Sequence, residues 1–437
     1  MNQLPVKEDL ILNACLELDI KSLETASIRE IVQLVNKLED FTGFQFIRTE
    51  MGVPGLPAPG IAVEAETEAL KKGIASVYPP IEGYSDLKNE LSRFMKLFLN
   101  IDVKTEGCIP TTGSMQASIA SFMVACRRDK KLDTILFIDP GFPVHKRQLH
   151  ILGHKFESFD IYNYRGDKLQ AKLESYLAKG NISAFVYSNP NNPSWICLTE
   201  NELQIIGALA NKTDIIVIED LAYFAMDFRE DYGKPGSPPF PPTVARYTDN
   251  YLLLFSSSKI FSYAGQRIGS VIISDKLFHK KFPDLEQYFS SKRFGQALIQ
   301  DAIYAMSAGT SISSQVGLAS ILKSANDGKY DFVEHVKEYG ERAKRMKKLF
   351  LENGFEIVYD KDEERLLADG FYFTISYPGY QGGELLSELL RYGISALTLN
   401  TSGSDRTEGL RICVSHTQLN DIPVLKERLE IFRTDHS

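Results

Sequence analysis

The chain holds 437 residues, and its 57 acidic against 49 basic side chains leave a formal net charge of −8. At that length two domains with a cleft between them are the natural expectation. An acidic balance without basic blocks excludes the clustered Lys and Arg that nucleic acid or an anionic membrane surface would need. Cys15, Cys108, Cys126, Cys197 and Cys413 are scattered and form no CxxC pair. Neither a disulfide framework nor a structural zinc site is expected, and a reducing cytoplasm fits. Lys7, Glu8, Asp9, Glu17 and Asp19 interrupt any apolar core of a signal peptide. No stretch approaches the ~20 apolar residues of a membrane helix.

From Ser27, the apolar positions Ile28, Ile31, Val32, Val35 and Leu38 recur at helical spacing, with Ser27 as N-cap ahead of Glu30. Met51 to Pro59 is dense in Gly and Pro and reads as an extended crossing. Helical patterning resumes over 61–72 and 84–100. The middle of the chain then alternates short apolar runs, at 134–138, 184–187, 215–218, 252–255 and 271–273, with helical stretches such as 168–178 and 200–210. Fully apolar strands separated by helices predict a mostly parallel sheet buried on both faces. Residues 234–242 read as a surface loop. After Gly309 come charged helices, notably 330–353, and short strand-like pieces at 371–375 and 410–414. A smaller domain is expected to start near 330 and to collect the N-terminal helix.

Ligands bind such sheets beyond the carboxyl ends of the strands. Those ends read Asp139-Pro-Gly-Phe-Pro, Ser188-Asn-Pro-Asn-Asn-Pro-Ser, Glu219-Asp-Leu-Ala-Tyr and Ser256-Ser-Ser-Lys, with Arg267 eight residues further on. Each piece alone is an ordinary turn or cap. Together they place an aromatic ring, an amide, a carboxylate, a phenol, an amine and a guanidinium at one sheet edge.

In that order, with GVPGLPAP, YPPIEG and TTGSMQA before them and LRIC after, the motifs resemble the fold-type I pyridoxal-phosphate enzymes of the class I/II aminotransferase family, from about Gly52 to Arg411. The resemblance implies a three-layer α/β/α large domain with a mostly parallel sheet, residues 51–329. It implies a smaller α+β domain from residues 1–50 and 330–437. Lys259 resembles the lysine that forms a Schiff base with pyridoxal phosphate and shuttles the α-proton. Asp220 resembles the partner of the pyridine nitrogen. Tyr223 and Asn192 resemble the pair on the ring's phenolic oxygen, and Phe142 the aromatic stacked on the ring. Gly113, Ser114 and Met115 would offer backbone N–H groups to the phosphate, with Ser256, Ser258 and Arg267 as side-chain donors. Tyr78 resembles a tyrosine that reaches the phosphate of a neighbouring subunit, which implies a homodimer with shared active sites. Arg411, with Asn192, resembles the clamp on the substrate α-carboxylate.

The implied function is ping-pong transfer of an amino group between an α-amino acid and a 2-oxo acid. The alternative is a C–S lyase that eliminates a β- or γ-substituent on the same cofactor. A non-catalytic binding module on this fold is a third class, disfavoured by the presence of both Lys259 and Arg411. Three departures from the family pattern bear on specificity. Trp195 stands where the family has Gly, and either reshapes the substrate mouth or packs the following strand. Met115 stands where some aspartate-specific relatives carry Lys. The turn 393–404 lacks the family's usual Pro-Gly and Phe. No metal site is expected: His145, His150 and His154 lack convergent spacing and read as solvated or capping. Arg342, Lys344, Arg345, Lys347 and Lys348 read as a solvated helix face.

Overall fold

The structure is a computed structural model and describes residues 5–436. Its framework is a seven-stranded sheet of β1 (Cys108–Thr111), β2 (Thr134–Asp139), β3 (Lys155–Asp160), β4 (Ile182–Ser188), β5 (Ile216–Leu221), β6 (Tyr251–Ser256) and β7 (Gly269–Ile273), in the order β1-β7-β6-β5-β4-β2-β3. All pairings are parallel except those of β7, which runs antiparallel to both neighbours. The predominantly apolar strands β2, β4, β5, β6 and β7 are buried along their whole length, as a sheet covered by helices on both faces requires. The edge strands β1 and β3 were not apparent from the sequence. Pro110 in β1 suits an edge, and the exposed charged start of β3 blunts the other edge.

A four-stranded antiparallel sheet lies C-terminal to this, built from Leu397–Thr398, Leu410–Cys413, Tyr372–Ser376 and Glu356–Ile357. The N-terminal segment runs onto it. Ile47 bridges Ile394, the Cys413 N–H donates to the Thr49 carbonyl, and the Val6 N–H donates to the Arg391 carbonyl. Residues 1–4 and 437, which belong to the expected small domain, lie outside the described residues. One hydrophobic core extends from Val6 and Leu34 through Leu136 and Phe255 to Leu425.

The helix Ile28–Thr42 carries the capping box expected at Ser27. Its Oγ accepts from Glu30 N at 3.4 Å, while Glu30 Oε2 accepts from Ser27 N at 2.7 Å. Such a cap contributes about 1 kcal/mol and fixes where the helix begins. Ile28 and Val32 on its first turns thereby face the cleft. The expected helix over 330–353 is interrupted: Asp331 Oδ1 caps a short helix, Phe332–Val336, and Glu338–Glu352 follows. Arg342 on the second helix corrects the reading of a solvated basic face. It is 1% exposed, pairs with Glu338 at 2.6 Å and donates to the Ser415 carbonyl at 2.7 Å.

Candidate active site

The carboxyl ends of β2, β4, β5 and β6 open into a cavity of about 350 Å³. Ser114, Met115, Phe142, Asn192, Asp220, Tyr223, Ser256, Ser258, Lys259, Arg267 and Arg411 all line it. Gly113 directly precedes this set, whereas Tyr78 lies on the surface with 87% of its area exposed. Ile28, Val32, Met51, Gly52, Val53, Ala222 and Tyr372 complete the wall, and the sequence reading had missed them.

One end of the cavity gathers donors suited to a phosphate. The helix Gly113–Ala125 starts there, and its first-turn N–H groups have no partners within the helix. Gly113 has φ +68°, and a Cβ at that position would lie 2.7 Å from Arg267 Nη2. Only glycine keeps this cradle open. Ser256 Oγ accepts from Ser258 N at 3.2 Å, which folds the Ser256–Lys259 turn around the same point.

Lys259 follows β6 and projects back over the cavity, where Nζ donates to the Gly52 carbonyl. Burial, together with the nearby positive charges of Arg411 and Arg267, lowers its ammonium from 10.5 to about 8. About a tenth of the amine is therefore neutral at pH 7, far more than for an ordinary lysine, as a nucleophilic amine requires. Asp220, the fifth residue of β5, is 5% exposed, and burial raises its carboxyl from 3.8 to about 7. Its Oδ1 accepts from Ala222 N at 3.0 Å, and its Oδ2 lies 3.8 Å from His145 Nε2. A desolvated carboxylate with so few partners suits a cationic ring nitrogen.

His145 is neither solvated nor a cap: it is buried behind Asp220, and burial lowers it to about 4, so it is neutral at pH 7. It packs edge-on against Phe142 at 5.4 Å. The missed signal was spacing, because residues three apart at a helix start share a face.

Arg411 lies on the small sheet. Its Nη1 donates to Asn192 Oδ1 at 3.3 Å, Nη2 donates to the Glu50 carbonyl, and Nε has no partner among the described residues. A buried guanidinium with an unused donor can take a carboxylate. Trp195 matches neither of the two readings given to it. It is 1% exposed, adopts φ +64° and does not line the cavity; its indole packs behind the cavity wall, 5.5 Å from the Tyr223 ring. A larger groove of about 770 Å³ shares Tyr372 with the cavity, yet its rim balances Lys344, Lys347 and Lys348 with Glu352, Glu356, Asp360 and Asp369, so it presents no converging charge.

A model of the family described as aminotransferase class I and II matches residues 55–429. The chain belongs to this family. It is 24% identical over 257 residues to a probable aspartate aminotransferase of Methanocaldococcus jannaschii, covering 59% of this chain and 63% of that protein, so the match spans less than two thirds of that relative. It is 26% identical over 310 residues, 70% of each protein, to a probable N-acetyl-LL-diaminopimelate aminotransferase of Bacillus subtilis. An alanine aminotransferase from Pyrococcus furiosus superposes with a TM-score of 0.76 at 18% identity, covering 93% of this chain and 97% of that one. The fold is thus that of the class I/II aminotransferases, an α/β architecture around a mostly parallel sheet.

Proposed function

We propose that this protein is a pyridoxal-phosphate-dependent aminotransferase that moves an amino group between an α-amino acid and a 2-oxo acid. The observation that carries this reading is the convergence of Lys259, Asp220 and Arg411 in one cavity, with a phosphate cradle at its end. The donor set fits pyridoxal phosphate: Gly113, Ser114, Met115, Ser256, Ser258 and Arg267 would hold the phosphate, Asp220 the ring nitrogen, Tyr223 and Asn192 the phenolic oxygen, and Phe142 the ring face. When bound, the cofactor supplies an electron sink for the charge left on the substrate's deprotonated α-carbon.

The chain's own groups do the rest. Lys259 Nζ, held near pKa 8, would carry the cofactor, and as a free neutral amine it would accept the proton from the substrate α-carbon. Arg411 Nε and Nη1, with Asn192, hold the α-carboxylate so that the α-hydrogen faces Lys259. Asp220 keeps a positive charge paired at the cavity floor.

The side-chain wall favours an apolar donor. Ile28, Val32, Val53 and Met115 line it, and the cations that line the cavity, Lys259, Arg267 and Arg411, are committed to other tasks. Among the described residues no further cation of this chain lines the cavity to receive a distal carboxylate. We place the cofactor on a large domain of residues 51–329 and the carboxylate clamp on a small domain of residues 1–50 and 330–437. Tyr78, 87% exposed and next in sequence to exposed Val77, supports a homodimer in which Tyr78 completes the partner's phosphate site. Five free thiols support a cytoplasmic location.

The test is the visible spectrum of the cofactor-loaded protein during additions from an amino-acid panel. Transamination converts the cofactor to its aminated form with leucine or methionine more readily than with aspartate, and a 2-oxo acid reverses the change. Pyruvate and ammonia released from a cysteine conjugate, without an aminated cofactor, would identify an eliminating lyase instead.

A further inference from the structure

We infer that Tyr372 is a positioning residue with two separable tasks: its hydroxyl sets the direction in which the Tyr223 hydroxyl donates, and its ring holds the Arg411 guanidinium. The inference rests on the proposed function. Strand pairing brings the residues together. Arg411 lies directly opposite Thr374 in the small sheet, and Tyr372 is two residues from Thr374 on the same face. The diagonal places the Tyr372 ring under Arg411, with the guanidinium 4.6 Å from the ring centroid.

The Tyr372 hydroxyl lies 2.7 Å from that of Tyr223. Each phenol has one hydrogen to give and lone pairs to receive with. If Tyr223 gave its hydrogen to Tyr372, it would have none left for an acceptor in the cavity. Tyr223 can donate into the cavity only by accepting from Tyr372, so Tyr372 must be the donor of the pair.

Packing leaves the Tyr372 ring no other place. A Cβ on Gly52 would lie 2.2 Å from the Tyr372 hydroxyl, so this glycine makes room for it. Behind the ring, Trp195 sits edge-on at 6.1 Å, and Gly370 makes room for the indole, where a Cβ would lie 2.1 Å away. The departure from the family glycine at position 195 therefore buttresses Tyr372 and Tyr223 from behind. Both tyrosines are buried.

Two variants separate the tasks. Tyr372→Phe keeps the ring under Arg411 and removes the hydroxyl donor. Tyr372→Leu removes both. A hydroxyl that donates to the cofactor's phenolic oxygen stabilises negative charge there, in competition with the proton on the Lys259 nitrogen. Weakening that donor lets the nitrogen hold its proton to higher pH. In the cofactor-loaded protein, Tyr372→Phe should raise the pH midpoint of the visible band by roughly half a unit to one unit, leaving KM for the amino donor within about twofold. Tyr372→Leu should raise the same midpoint and also raise KM by roughly 3- to 10-fold. A Phe variant with the wild-type midpoint, or two variants with equal KM, overturns the inference while a normal wild-type band leaves the proposed function standing. A wild-type protein with no cofactor band overturns both.

Discussion

Replacing Asp220 by Asn should strengthen the cofactor-free protein and weaken its hold on the cofactor. Burial raises the Asp220 carboxyl from 3.8 to about 7. Between those values the folded protein keeps a proton that the unfolded chain has lost, so stability falls as pH rises through the window, and the full cost is present above pH 7. A gap of about 3 pH units at 1.36 kcal/mol each sets a ceiling of about 4 kcal/mol. Asn preserves the shape and the acceptor for Ala222 N, which lies 3.0 Å from Oδ1, and carries no charge to desolvate. His145, lowered to about 4 by burial, stays neutral across most of the window. Urea unfolding of the cofactor-free proteins should show the variant more stable by about 2–4 kcal/mol at pH 8 and equal below pH 4. Its cofactor Kd should rise roughly 10- to 100-fold, because a charge-assisted hydrogen bond worth about 1.5–3 kcal/mol is lost. Equal stability at pH 8, or a difference that does not change with pH, refutes the reasoning.

Arg411→Gln removes the proposed α-carboxylate clamp and should lower kcat/KM for every amino donor by about 2–4 kcal/mol, roughly 30- to 1000-fold, with the cofactor band intact; steady-state kinetics across the panel checks this. Mixing Lys259→Ala and Tyr78→Ala protein under exchange should restore about a quarter of wild-type activity, because half the dimers are mixed and each then holds one complete site; no recovery would refute the shared site. Gly370→Ala drives a Cβ into the buried Trp195 ring and should lower stability by about 1–3 kcal/mol. Gly60→Ala has open space at its helix start and should be neutral or stabilising by about 0.5 kcal/mol, as thermal melts of the pair would show.

The central strands were legible in the sequence because their burial on both faces forces unbroken apolar runs. β1 and β3 escaped notice for the complementary reason: an edge strand carries Pro110, or exposed Lys155 and half-buried Glu157, and such residues erase the run. The cavity-lining residues that sit just after strands were legible too, since a strand end fixes where they point. What stayed hidden depends on contacts between distant segments. Tyr372 and Gly52 meet across 320 residues of chain, and Ile28 reaches the cavity only because its helix docks on a fold assembled later. Arg342 and His145 were misread as solvated, because a charged or titratable side chain carries no local sign of the buried partner it will meet.

The most direct test of the central claim is borohydride reduction of the cofactor-loaded protein followed by peptide mass spectrometry. Hydride addition to a carbon–nitrogen double bond locks the cofactor onto the amine that holds it. The expected result is one cofactor mass per chain on Lys259, absent after pretreatment with an amino donor that has converted the cofactor. A cofactor mass on a different lysine, or none on Lys259 in protein that shows the bound band, would contradict the assignment of this cavity as the aminotransferase active site.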